Sequence, residues 1–126
     1  MIQLTIERLR MKKSASLEVP TPRKDRANVI PLAGEIDLHV SPTVRTLLDR
    51  IIAKKPRRLV VDLSRVSYID SAGLGAIIEA MREVEAYGGK FALAGMQETV
   101  RSIFKMLRLD QIFSIFPDVD AALTAA

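Results

Sequence analysis

The chain has 126 residues, 48% hydrophobic and 27% charged, with a formal net charge of +4, one histidine and no cysteine. This is one domain's worth of chain with enough apolar material for a single core, and it excludes disulfides, thiolate metal sites and any multi-histidine metal centre. No apolar run reaches the roughly 18 residues of a membrane span, and Met1-Ile2-Gln3-Leu4-Thr5-Ile6-Glu7 is not a secretory leader, so a cytoplasmic, cysteine-free domain is expected.

Residues 1–13 read as an extension of uncertain structure, with Ile2, Leu4 and Ile6 alternating before a charged stretch. Residues 14–26 carry Pro20, Pro22 and a basic cluster at Arg23, Lys24 and Arg26, which marks a loop. A short strand at Leu17–Val19 fits inside it. Residues 1–31 hold seven Lys/Arg against three Asp/Glu, whereas residues 32–126 hold twelve of each. The basic excess is scattered and lacks interleaved aromatics, so it reads as a solvated segment. Neither direct nucleic-acid binding nor membrane insertion is expected.

Asn28–Ala33 is a strand candidate that ends at Gly34. Ser41-Pro42 starts a helix, with a hydroxyl cap and proline in the first turn. Val44, Leu47, Leu48, Ile51 and Ile52 follow at helical spacing, and Lys54-Lys55-Pro56 closes it. Leu59–Leu63 is a continuous apolar strand of the kind found inside parallel sheets. A second helix spans 71–86, with Leu74, Ile77, Ile78, Met81 and Val84 on one stripe, and Gly88-Gly89 ends it. Lys90–Ala94 is a strand. Glu98–Leu107 is a helix with Val100, Ile103, Phe104 and Leu107 inward. Ile112–Phe116 is a strand, and Pro117-Asp118 starts a short last helix with Val119, Ala122 and Leu123 inward. Alternating strands and helices predict an α/β domain with a mostly parallel sheet.

Ser71 stands where the second helix begins, beside Asp70 and at the carboxyl end of a central strand, where sites collect in open α/β sheets. A serine in that place is ordinarily a helix cap. Gly73 and Gly75, however, leave the first turn nearly bare at about 1 kcal/mol each relative to alanine, which suggests that another body approaches the backbone. A serine-hydrolase reading fails because Ile69 stands where the nucleophile elbow needs glycine. Gly73-Leu74-Gly75 has Ile78 where a dinucleotide fingerprint needs its third glycine. A Walker-type phosphate loop is also missing. Glu35 and Asp37 are placed on the same rim, while His39, with no partner ligand, reads as a solvent-facing loop residue.

Gly34-Glu35-Ile36-Asp37, then Leu59-Val60-Val61-Asp62-Leu63, then Ile69-Asp70-Ser71-Ala72-Gly73-Leu74-Gly75 together resemble the STAS domain family, and within it the bacterial anti-sigma factor antagonists. The resemblance covers residues 14–126. It implies a single STAS-like domain with a small mixed, mostly parallel sheet and helices packed mainly on one face. It implies a non-enzymatic regulator that binds a kinase-type anti-sigma factor and so releases a sigma factor. Phosphorylation of Ser71 by that anti-sigma factor would abolish binding, and a protein phosphatase would reset the cycle. Glu35, Asp37, Asp70, Ala72, Gly73, Leu74 and Gly75 would contact the partner. No cofactor is expected on this chain, since ATP and magnesium belong to the partner kinase. The chain would be a monomer or weak dimer. Two other readings stay open: a non-switching STAS subunit of a transporter ATPase complex or stress-signalling scaffold, and a binder of a nucleotide or small molecule at the same edge.

Overall fold

A computed structural model describes residues 27–125, so the extension at 1–13 and the strand expected at Leu17–Val19 lie outside the described residues. Four parallel strands, β1 (Ala27–Ile36), β2 (Arg58–Ile69), β3 (Lys90–Ala94) and β4 (Ser114–Phe116), lie side by side in chain order. Among the described residues, four helices connect or follow them: α1 (Ser41–Ile52), α2 (Ser71–Ala86), α3 (Glu98–Met106) and α4 (Val119–Thr124).

Strand order decides where the helices go. Each crossover steps one strand in the same direction, and right-handed connections of that kind put their helices on one face. Accordingly α1, α2 and α3 bury their stripes in one cluster with Leu59, Val61 and Leu63 of β2 and Phe91 and Leu93 of β3. Phe104 fills its centre, packed edge-on against Phe113 at 5.6 Å between ring centroids. The alternate residues Val60, Ala92 and Ala94 face the other way, where α4 covers them with Val119, Ala122 and Leu123. Arg58 holds α4 there by donating to the Ala122 and Leu123 carbonyls at 2.8 and 3.0 Å, satisfying groups that a helix end leaves orphaned.

The structure differs from the sequence reading at several boundaries. β1 does not end at Gly34. That glycine takes φ 90°, and the strand continues past it to Ile36, with register shifts between Pro31 and Ala33 and between Gly34 and Glu35, as bulges allow. β2 likewise runs on past Leu63 to Ile69, because β1 remains its partner and Val66 and Ile69 point into the core. Ser41 is not the cap of α1: Val40 holds the cap position and Asp37 satisfies the local amides. Leu107 is exposed rather than inward, since α3 ends at Met106 and Arg108 turns left-handed at φ 59°. A 3₁₀ turn at Leu109–Gln111 follows, which delays β4 to Ser114 and leaves Ile112 exposed.

Candidate functional site

β1 and β2 outrun the rest of the sheet. β3 ends opposite Asp62, seven residues short of Ile69 by number, so the β1–β2 tip projects by roughly 20 Å at strand rise. The start of α3 braces the projection: Gln97 Nε2 donates to the Ser64 carbonyl at 2.9 Å and Thr99 Oγ1 to the Ser67 carbonyl at 3.2 Å.

At the tip, Asp70 is the N-cap of α2 and Ser71 its first helical residue. The cap duty that a serine before a helix ordinarily takes thus falls to the aspartate. Asp70 Oδ1 accepts from the Ala72 and Gly73 amides at 3.0 Å each, satisfying two of the four orphaned donors. Its other oxygen accepts from the Leu38 amide at 3.0 Å, across to the loop after β1. The Asp70 amide in turn donates to the Ile36 carbonyl at 3.2 Å. One carboxylate therefore joins the ends of two strands to the start of a helix. Asp37 acts similarly within its own turn, its Oδ1 accepting from the His39 and Val40 amides at 3.0 and 3.2 Å.

Ser71 is left exposed, its hydroxyl relieved of capping. Glu35, on β1 opposite Tyr68 of β2, is exposed at the same end. The two glycines differ. A Cβ on Gly73 would meet the Ile36 carbonyl oxygen at 2.6 Å and the Ile36 and Ile69 side chains at 2.8 Å, so Gly73 is needed where α2 starts against β1. The body that approaches it is the protein's own strand. A Cβ on Gly75 would meet nothing within 4 Å, leaving bare surface one position past the buried Leu74. Ala72, just before Gly73, is half-buried. Leu38, 67% exposed beside Asp70, and the half-exposed Tyr68 add apolar surface that sequence reasoning missed. The signal for Leu38 was a lone aliphatic residue between Asp37 and His39, in a loop with no amphipathic period to bury it. Among the described residues, no three His, Cys, Asp or Glu side chains gather as metal ligands, and no helix is long and apolar enough to cross a membrane.

The STAS domain profile matches residues 18–122. The chain is 30% identical over 100 residues to an anti-sigma-B factor antagonist of Listeria monocytogenes, covering 79% of this chain and 87% of the relative. It is 29% identical over 114 residues to the anti-sigma-F factor antagonist RsfB of Mycobacterium tuberculosis, covering 90% and 93%. The structure of an anti-sigma factor antagonist from Mycobacterium paratuberculosis superposes with a TM-score of 0.75 at 27% identity, over 85% of this chain and 91% of that one. Unphosphorylated SpoIIAA, an anti-sigma factor antagonist, superposes with a TM-score of 0.62 at 26% identity, over 81% and 87%. The same fold occurs in a sulfate transporter family protein of Wolinella succinogenes, with a TM-score of 0.68 at 20% identity over 87% and 88%.

Proposed function

This chain belongs to the STAS domain family, and on that premise we propose that it is an anti-sigma factor antagonist switched at Ser71. The unphosphorylated protein binds a kinase-type anti-sigma factor and releases a sigma factor. The kinase, using its own ATP and magnesium, phosphorylates Ser71 and ends the complex, and a phosphatase restores it. The protein itself catalyses nothing in this cycle and works in the cytoplasm. The observation that carries the reading is the exposed Ser71 at a projecting tip whose capping is done by Asp70, so its hydroxyl is available to a kinase. Relatives named as antagonists of anti-sigma factors support it, as does SpoIIAA, solved in both unphosphorylated and phosphorylated forms.

The tip suits such a switch. A phosphoryl group adds a charge of about −1.5 to −2. In the free protein it sits in solvent at a helix N-terminus, where anions are favoured. In a complex it would be desolvated beside Glu35 and Asp70, and against any acidic group of the partner, so affinity falls. Leu38 and Gly75 offer the partner an apolar anchor and an open stretch of backbone.

A paired pull-down tests this. Ser71→Ala is expected to capture a kinase-type anti-sigma factor from the native lysate, and Ser71→Asp to lose it. Equal capture of a transporter ATPase or scaffold by both variants would replace this reading with the non-switching one.

A further inference from the structure

The end of the sheet opposite Ser71 has a chemistry that partner switching leaves unused. In this topology the connecting helices finish where strands begin, and basic residues gather there. Lys54 and Lys55 follow α1, Arg57 precedes β2, Lys90 opens β3, and Lys105 and Arg108 close α3. Glu85 and Asp110 are the acidic residues in the same turns. Residues 27–125 contain equal numbers of Lys/Arg and Asp/Glu, so the cation excess at this end is matched by carboxylates elsewhere, Glu35, Asp37 and Asp70 of the tip among them. Cations at helix C-termini are favoured by the macrodipole, and charge alone would mean little.

The second observation is apolar. Met106, the last residue of α3, and Leu107 and Ile112 in the turn to β4 are 73%, 53% and 54% exposed. Met106 and Leu107 lie between Lys105 and Arg108 in the chain, and a buried ring pair beneath places Ile112 at the same end of the sheet as Lys90. Ile112 adjoins Phe113, whose ring lies 6.1 Å from that of Phe91, next in sequence to Lys90. The Lys90 amide donates to the Arg57 carbonyl at 2.8 Å, and Tyr87 Oη donates to the Pro56 carbonyl at 2.8 Å, closing the surface between α2 and the α1–β2 turn.

We propose that this end docks on an anionic lipid surface. Its cations would lie at phosphate level, Met106, Leu107 and Ile112 would enter the headgroup layer, and Ser71 would face away. Basic residues interleaved with protruding aliphatic side chains match the chemistry of that layer. A nucleic-acid backbone would satisfy the cations and offer the aliphatic groups nothing. A second copy, acidic tip on basic end, would form an open-ended head-to-tail stack and bury Ser71. The inference stands apart from the partner-switching proposal, since it uses none of the tip residues.

The test is co-sedimentation of the full chain with vesicles of phosphatidylcholine and phosphatidylglycerol in equal parts, against phosphatidylcholine alone. Binding is expected only to the anionic vesicles. It should fade with salt as the screening length shrinks from about 10 Å at 0.1 M to about 3 Å at 1 M. Lys54→Glu with Lys55→Glu should weaken it at least about twentyfold, at about fivefold per cation. Leu107→Ser with Ile112→Ser should also weaken it while leaving the unfolding midpoint nearly unchanged, because both side chains are exposed. The chain has no cysteine, so a fluorophore on Met106→Cys should shift to the blue on anionic vesicles and one on His39→Cys should not. The proposal falls if no sedimentation occurs. It falls if the Leu107 and Ile112 pair makes no difference, which would assign binding to charge alone, including residues 1–31. It also falls if duplex DNA binds as tightly as the vesicles, or if the same pair abolishes self-association of the chain.

Discussion

Asp70 shows how one side chain can be required for structure at a place where sequence suggests function. Both its oxygens accept backbone amides, from Ala72 and Gly73 on one side and Leu38 on the other. Asp70→Ala should therefore cost about 1–2 kcal/mol in urea unfolding, the range for a lost cap and unsatisfied amides. The glycines give a sharper contrast. Gly73→Ala forces a Cβ against a backbone carbonyl 2.6 Å away, and overpacking of this kind typically costs about 1–3 kcal/mol. Gly75→Ala enters open space and should stabilise α2 by up to about 1 kcal/mol, while weakening capture of the anti-sigma factor if that surface is the contact. Equal tolerance of the two alanines would refute the internal-packing account of Gly73.

Between elements, polar ties set how the helices sit on the sheet. Arg45 of α1 reaches Glu79 and Glu83 of α2 as well as Asp49 of its own helix. The carboxylates are largely exposed, so Arg45→Met should cost under about 1 kcal/mol, with the difference vanishing in high salt. Tyr87, just past α2, donates to the Pro56 carbonyl, and burial raises its phenol pKa above the ordinary 10.0. Below pH 10 the phenol is neutral folded and unfolded. Above it the unfolded chain releases the proton first, so this contribution is lost as pH rises through the raised folded value. Tyr87→Phe should lower stability at pH 7 by about 1 kcal/mol and flatten the alkaline decline, as alkaline titrations of the urea midpoint would show.

For the molecule as a whole, rigidity at the tip predicts a switch that works by charge at an interface rather than by refolding. Ser71 stands outside the hydrogen bonds that join β1, β2 and α2 through Asp70, so a phosphate there breaks none of them. Amide chemical shift differences between the phosphorylated and unphosphorylated protein should be confined to residues 35–45 and 68–78. Changes spread through α3 or β4 would mean that the fold itself responds.

Local sequence was enough for the alternation of strands and helices, the inward stripes of α1 and α2, and the position of Ser71 at a helix start. Each is a local property, carried by hydrophobic period and by the punctuation of Pro56, Gly88 and Gly89. Tertiary structure decided the rest, because it depends on partners distant in sequence. Gly34 looked like a strand end, yet continued pairing with β2 carried β1 through it. Ser71 read as the ordinary cap of α2, yet Asp70 takes that position, accepting the Ala72 and Gly73 amides with one oxygen and the Leu38 amide, 32 residues away, with the other. Gly73 looked like a gap kept for a visitor, and only the approach of Ile36 revealed who occupies it. Periodicity assigned Leu107 to the core, but it cannot register that α3 ends at Met106 and that the left-handed Arg108 follows it, a difference that leaves Leu107 at the surface.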